Sequence, residues 1–304
     1  MTPPFQPDEL KAELERTLQF GIRSLERMIC VNSVNFRATR AGDGFVFTVK
    51  CLPDWRKDGY DAIARHVREL EGAKTVRRLF AKECPQSFRG WHLLCLTWCA
   101  GAQVFPDALT AGQFRAFLDD YQELSKALQH VTVVLSPYPT RQWRAEALAG
   151  CAGPFGRWLR RLIEEIPENL SGFEKARLKV THGDLHPGNV VFDRGVVTGF
   201  LDVEAPVWGY PAWDIVRYFS FALTKTSPFS VIRRRRMWAR FAEAVRHLPY
   251  AREEWIVSIN ATWFEQLWKK NGRGRIGAFD TLRLAMRAQQ YRRMRQVVQC
   301  EGRN

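Results

Sequence analysis

The sequence predicts an α+β protein in two parts. A small sheet with a helix occupies residues 1–99, and a larger, mostly helical part occupies residues 100–304. Three observations lead there. Strand-like runs at 35–39, 45–52 and 91–98 cluster in the first hundred residues. From Thr110 onward, apolar residues recur at three- and four-residue steps. One hairpin, at 190–201, interrupts the helical part and carries polar residues around its base.

A chain of 304 residues can bury two cores of its own. Apolar residues make up 46% and charged residues 26%, so a folded globular protein is expected rather than a disordered one. Residues 1–16 are polar and acidic and show no signal peptide. No run reaches the roughly 20 apolar residues of a membrane span. A cytoplasmic location is therefore the expectation. The seven cysteines (Cys30, Cys51, Cys84, Cys95, Cys99, Cys151 and Cys300) include no C-x-x-C pair, which predicts buried thiols rather than a zinc site or disulfides.

In chain order, Leu10, Leu14, Leu18, Ile22, Leu25 and Ile29 predict one amphipathic helix over 8–30. The strands at 35–39 and 45–52 are joined by Ala41-Gly42-Asp43-Gly44, a hairpin signal. Lys50 lies among Val49, Cys51 and Leu52, where an ammonium facing a sheet needs a partner. A helix is expected over 59–81. The apolar strand from Trp91 ends at Ala100-Gly101. Thr110 and Gln113 form a capping box, followed by an apolar face of Phe114, Phe117, Leu118, Tyr121, Leu124 and Leu128. Pro137, Pro139 and Pro154 loosen the next segment, and 158–166 is a further helix candidate. Residues 203–211 read as a turn-rich loop. Asp214 reads as the N-cap of the helix that follows. Residues 231–298 are helix-rich.

The chemistry concentrates at 180–202, VTHGDLHPGNVVFDRGVVTGFLD. Arg194-Gly195 turns the hairpin, which brings Asp202 back towards Asp184 and Asn189. One carboxylate of such a cluster can accept a proton from an attacking hydroxyl. The other carboxylate and the amide oxygen can hold a hard divalent cation such as Mg²⁺. The spacing H-x-D-x-x-x-x-N, here His182, Asp184 and Asn189, followed by a strand-borne Asp, is the phosphoryl-transfer arrangement of protein kinases. His182 is expected to brace the backbone. His186, four residues on, lacks the H-E-x-x-H pattern of a zinc hydrolase.

HGDLHPGNVVFD, then GFLDVE, then WD resembles the core of the aminoglycoside phosphotransferase and choline kinase-like family, small-molecule kinases with a two-lobed, protein-kinase-like fold. The resemblance is specific over 180–218, looser over 45–101 and uninformative after 225. It implies ATP and Mg²⁺ as cofactors. It makes Asp184 the base, Asn189 and Asp202 the metal ligands, and Lys50 the contact to nucleotide phosphates. It pairs Lys50 with a helix glutamate, Glu71 in preference to Glu69. It places the adenine ring against the backbone of Thr97, Trp98 and Cys99, and bonds Asp214 back to the catalytic loop. Glu204 could assist the metal or touch the acceptor. The glycine-rich loop of protein kinases is absent; Asn32-Ser33-Val34-Asn35-Phe36 stands there instead.

The net charge is +14, and residues 225–304 hold 18 Lys and Arg against 6 Asp and Glu. An aminoglycoside is a polycation, so this field favours a neutral or anionic acceptor: a sugar, a sugar phosphate or a glycolipid. The same arginines could also be solvated helix faces. Two other readings stay open, a catalytically silent regulator on the same fold and a nucleic-acid-binding protein. No zinc finger or RNP signature supports the latter, so no obligate nucleic acid is expected. The expected partner is a small molecule with a hydroxyl. Nothing in the sequence specifies an oligomeric state.

Overall fold

The computed structural model describes residues 5–28, 34–53, 68–70, 87–132, 157–158, 160–161, 164, 178–203, 206–227, 229–271 and 278–301. Helix α1 (Pro7–Leu18) leads into a four-stranded antiparallel meander of β1 (Ile22–Met28), β2 (Val34–Arg40), β3 (Val46–Pro53) and β4 (Trp91–Thr97). The expected single helix over 8–30 is therefore wrong in its second half. Gln19 adopts a left-handed conformation at φ 53° and ends the helix, and Gly21 accepts the Ala41 N–H at 2.8 Å as β1 begins. Apolar spacing alone carried the pattern across that stop, because Ile22 and Leu25 continue the helical step by coincidence. β1 is one of the two edge strands and shows charged Arg23, Glu26 and Arg27 on its flank, which discourages further pairing.

Phe5, Leu10 and Leu14 pack with Phe36, Phe47, Val49 and Leu93 into the N-terminal core. This core shares no residue with the larger one behind it. Strand β3 holds Lys50 opposite Leu94, between buried Val49 and Cys51. The helix expected over 59–81 lies outside the described residues except at 68–70.

The chain crosses to the larger part through β5 (Ala102–Gln103). A single 3-10 turn (Pro106–Ala108) precedes α2 (Ala111–Leu128). The Thr110/Gln113 box forms as expected, and the buried face of α2 is the expected set of six residues. After it come β6 (Lys179–Thr181), the hairpin β7 (Val190–Asp193) and β8 (Val196–Phe200), and β9 (Val207–Gly209). Helices α3 (Trp213–Lys225), α4 (Val231–His247), α5 (Arg252–Asn271) and α6 (Ala278–Glu301) complete the chain. Arg194 and Gly195, at φ 49° and 84°, both take the left-handed conformation of a tight hairpin turn. The loop expected over 203–211 contains β9, which pairs with β6. The larger core joins α2, α3, α4 and the hairpin, with Phe117 stacked on Tyr218 at 4.9 Å between ring centroids. Cys51, Cys95 and Cys99 are buried as expected, whereas Cys300 is exposed on the last helix. The 158–166 helix is described only at isolated residues.

The crossing between the two parts is tight. Gly101 sits at φ 123°, and a Cβ there would lie 2.1 Å from the Phe192 carbonyl oxygen. The clash is with backbone, so no side-chain movement relieves it. Gly101→Ala is expected to destabilise the protein by about 2–4 kcal/mol, from combined overpacking and backbone strain. Urea unfolding of the variant measures this, and a change within experimental error would mean that the crossing is loose.

Candidate active site

Strand β6 delivers the chain into the loop 182–189, and a mesh of hydrogen bonds holds that loop. The buried His182 imidazole sets its middle. Its Nδ1 accepts the Asp184 N–H at 3.3 Å, so Nε2 carries the proton and donates to the Leu201 carbonyl at 2.8 Å. The ring braces the backbone on both sides, as expected. The Asp214 carboxylate accepts from the backbone N–H groups of His182 and Gly183, each at 2.9 Å, and from the Tyr121 hydroxyl at 3.4 Å. Asp214 is thus not the N-cap of α3; Ala212 holds that place and Asp214 lies in the first turn. Burial raises the Asp214 carboxyl above the ordinary carboxylate range despite these donors. Gln129 clamps β6 from α2, donating to the Val180 carbonyl at 2.8 Å and accepting its N–H at 3.2 Å. Gln103 Nε2 donates to the Gly188 carbonyl at 2.6 Å.

Within this frame Asp184 points to the surface, its side chain 57% exposed. Arg217 Nη2 donates to its Oδ1 at 2.7 Å. The other end of that guanidinium grips Glu265 on α5, with Nη1 at 2.8 and 3.0 Å from the two carboxylate oxygens. Glu265 is 1% exposed, so a fully buried carboxylate anchors the arginine that orients Asp184. Neither Arg217 nor Glu265 was singled out from sequence. The available signal was helical geometry: Arg217 follows Asp214 by three residues and so lies on the same face of α3. Arg217→Met is expected to cost about 3–5 kcal/mol by leaving the Glu265 charge without this partner. Arg217→Met with Glu265→Met should recover most of that. A double-mutant cycle by urea unfolding reads the coupling, and additive losses would refute it.

His186 stacks on Phe221 at 4.6 Å and accepts the Gly188 N–H on Nδ1 at 2.9 Å. Its Nε2 lies 3.9 Å from Asp184 Oδ2. Burial pulls its pKa below 6.5, and the Asp184 charge only partly offsets this.

On the other side of the loop, Asn189 Nδ2 donates to the Asp184 carbonyl at 3.0 Å, which fixes the orientation of the amide. The Asn189 carbonyl accepts the Leu201 N–H at 2.8 Å, which ties the loop to the end of β8. Asp202 follows at φ 56°, a left-handed conformation unusual outside glycine. Its Oδ1 accepts from Lys50 Nζ at 2.9 Å, across 152 residues of sequence. Lys50 thus reaches from the N-terminal sheet to the end of the β7–β8 hairpin. Glu71, the expected partner of Lys50, lies outside the described residues, as does Glu204. Glu69 binds the N–H and hydroxyl of Thr132, at 3.0 and 2.6 Å. Thr97 ends β4, Trp98 lies under the Arg37 guanidinium at 5.4 Å, and Cys99 is buried. The Ala100 carbonyl beside them accepts the Thr198 hydroxyl at 2.6 Å.

A cavity of about 780 Å³ opens beside Asp184 and His186. α3 forms one wall, Thr262 and Gln266 of α5 another, and Arg283, Met286, Arg287 and Gln290 of α6 the far side. Asp184 is the only carboxylate among the lining residues, against five lysine and arginine side chains.

The family model described as "Phosphotransferase enzyme family" matches residues 32–253. No match was found among curated protein sequences. Among solved structures, a thermostable mutant of the aminoglycoside phosphotransferase APH(4)-Ia, in ternary complex with ADP and hygromycin B, aligns with a TM-score of 0.56 at 15% identity. The alignment covers 98% of this chain and 99% of that one. Spectinomycin phosphotransferase APH(9)-Ia, in complex with ADP and spectinomycin, aligns at 0.57 and 13%, covering 98% and 99%. Choline kinase LicA from Streptococcus pneumoniae aligns at 0.55 and 13%, covering 94% and 98%. At such identities the likeness is one of fold, and it agrees with the two-lobed, kinase-like α+β architecture expected from the sequence. Among the described residues no helix is long and apolar enough to cross a membrane.

Proposed function

The chain belongs to the phosphotransferase enzyme family, and from that premise we propose that it moves the γ-phosphoryl group of ATP to a hydroxyl of a small molecule. One observation carries the reading. Asp184, Asn189, Asp202 and Lys50 are gathered around the base of one hairpin by the bonds from Asn189 to the Asp184 carbonyl and from Lys50 to Asp202. In the proposed division of roles, Asp184 accepts the proton of the acceptor hydroxyl, with its carboxylate aimed by Arg217. Lys50 grips phosphate oxygens. The backbone of Thr97, Trp98 and Cys99 faces the base, with the Ala100 carbonyl already engaged by Thr198.

Asn189 and Asp202 fit a Mg²⁺ ion. One offers an amide oxygen whose orientation is fixed by the bond its own nitrogen makes, the other a half-exposed carboxylate, and both are hard oxygen donors. A divalent cation held by these two residues would supply positive charge against the charge that develops on the phosphates during transfer.

For the acceptor, a neutral or anionic sugar, sugar phosphate or glycolipid is favoured over an aminoglycoside, because of the cations that line the cavity. The fold neighbours, which bind hygromycin B and spectinomycin or are named for choline, support the second reading, an aminoglycoside or amino-alcohol kinase. A catalytically silent regulator is disfavoured because Asp184, Asn189 and Asp202 are all present. An ATP-consumption screen across sugars, sugar phosphates, amino alcohols and aminoglycosides tests the proposal. Acceptor-dependent ADP release that stops when Mg²⁺ is chelated is the expected result. Nucleotide binding without turnover on any acceptor would favour the regulator.

A further inference from the structure

The basic C-terminal region divides once its side chains are placed. Arg233 is bound to buried Asp107 at 2.6 Å. Arg240 bridges Glu243 and the Leu109 carbonyl at 2.8 and 2.9 Å, and Arg246 pairs with Glu301 at 2.7 Å. These arginines hold helices together. Arg234, in the same run as Arg233, does something else. It lines the cavity beside Asp184, and its Nη1 is buried with no hydrogen-bond partner among the described residues. Burial, and then the neighbouring Arg293, pull its pKa below the usual guanidinium range, so a nearby anion would relieve it.

A second unsatisfied atom lies on the same cavity. Gln290 is 6% exposed, and its Oε1 also has no partner among the described residues. Buried polar atoms are nearly always paired, and both residues line this cavity, so a turn of each side chain toward a ligand would pair them. Their chemistry differs. A guanidinium nitrogen asks for an oxyanion, and an amide oxygen asks for a hydroxyl. Arg287 stands one helical turn before Gln290 on α6, held by Gln266 at 2.5 Å through one of its donors. A planar guanidinium presents paired donors that match phosphate oxygens.

We infer that Arg234, Arg287 and Gln290 form the seat for a phosphate group and an adjacent hydroxyl, so that the acceptor is an already phosphorylated polyol. This rests on the kinase reading above and narrows it. A cationic acceptor entering the cavity would meet Lys225, Arg234, Arg283 and Arg287, and its one carboxylate, Asp184, is already held by Arg217. The transfer itself is unchanged. The acceptor hydroxyl forms the new P–O bond, the bond between the γ-phosphorus and the ADP oxygen breaks, and the hydroxyl proton passes to Asp184. The phosphate already on the acceptor is not touched. It can belong to a free sugar phosphate or to a lipid headgroup, which offer the same oxyanion.

Calorimetric titration of the full chain, with and without saturating Mg²⁺ and AMP-PNP, tests this. The probes are glucose, glucosamine and glucose 6-phosphate, glycerol and glycerol 3-phosphate, and phosphatidylcholine vesicles with and without phosphatidylinositol. The phosphorylated member of a set should bind at least about tenfold more tightly than its neutral or amino counterpart, the scale of a charge-assisted bidentate contact. The preference should disappear in Arg234→Gln/Arg287→Gln. It should also disappear in Gln290→Glu, which places a carboxylate in the seat, should the double variant fold poorly. Binding of the soluble phosphates assigns a free acceptor, and binding only to phosphatidylinositol vesicles assigns a headgroup. Equal binding across each set, preference for the amine, or no binding of any phosphorylated probe overturns the inference. AMP-PNP binding, read in the same titrations, separates the two proposals. If it persists without phosphate preference, the inference alone falls. If it is absent while the preference holds, the kinase reading falls and a phosphosugar-binding protein remains.

Discussion

Asp184→Asn should lower kcat by about 10²- to 10⁴-fold, the usual contribution of a positioned general base. The nucleotide KM should stay within about twofold, since Asp184 makes no contact with Lys50 or Asp202 in the proposed roles. The substitution is chosen for what it keeps. An asparagine carbonyl can still accept the Arg217 hydrogen bond that now reaches Oδ1 at 2.7 Å, and Arg217 stays anchored on Glu265. What is lost is the ability to take a proton. Asp184→Ala would confound this by removing a partner of Arg217 as well. Steady-state kinetics on the acceptor found by the ATP-consumption screen makes the measurement. A loss of less than tenfold would show that another group receives the proton, and His186, with Nε2 at 3.9 Å from Asp184, would be the first to examine.

Asp214→Ala should unfold the loop 182–189 locally and lower global stability by about 2–4 kcal/mol, because two buried N–H groups, of His182 and Gly183, lose their acceptor together. Asp214→Asn is the finer probe. Its single carbonyl can satisfy one N–H, while its amide nitrogen faces the other, so about 1–3 kcal/mol is expected. The comparison has a pH signature. Burial raises the folded-state pKa of Asp214 above its ordinary value of 3.8. The folded state therefore binds the proton more readily than the unfolded state. The wild-type advantage over Asp214→Asn should grow as pH falls from above the raised folded value to below 3.8, and shrink as pH rises through the same interval. Urea unfolding of both proteins across that range reads the trend. An advantage that shrinks on acidification would mean that the hydrogen bonds outweigh burial.

Much of this molecule was legible in the sequence, and the illegible parts have identifiable causes. The α2 face and its capping box were readable because short-range helix rules decide them. The hairpin was readable because Arg194-Gly195 is a local turn signal. The α1–β1 junction was not, since Phe20-Gly21 is a weak stop and the apolar spacing runs through it. In the site, Asp184, Asn189 and Asp202 sit in one motif and could be read together. Arg217 could not be seen to bind Asp184, nor Glu265 to bind Arg217, because each pairing depends on how α3 and α5 pack. Likewise the arginine run announced positive charge, but helix rotation decided that Arg233 meets Asp107 while Arg234 meets the cavity.

The backbone at Asp202 also bears on how this protein could change over time. At φ 56° the position tolerates glycine, asparagine and aspartate and penalises most other residues. Of these three, only aspartate can both ligate a cation as a carboxylate and pair with Lys50 as a charge. A single base change from an aspartate to an asparagine codon would therefore pass the conformational filter and fail the chemical one. In the proposed division of roles, the descendant would keep its fold and its acceptor cavity but lose phosphoryl transfer. In a lineage built on this hairpin, inert binders are one mutational step from enzymes, and the residue at this position is the place to tell them apart.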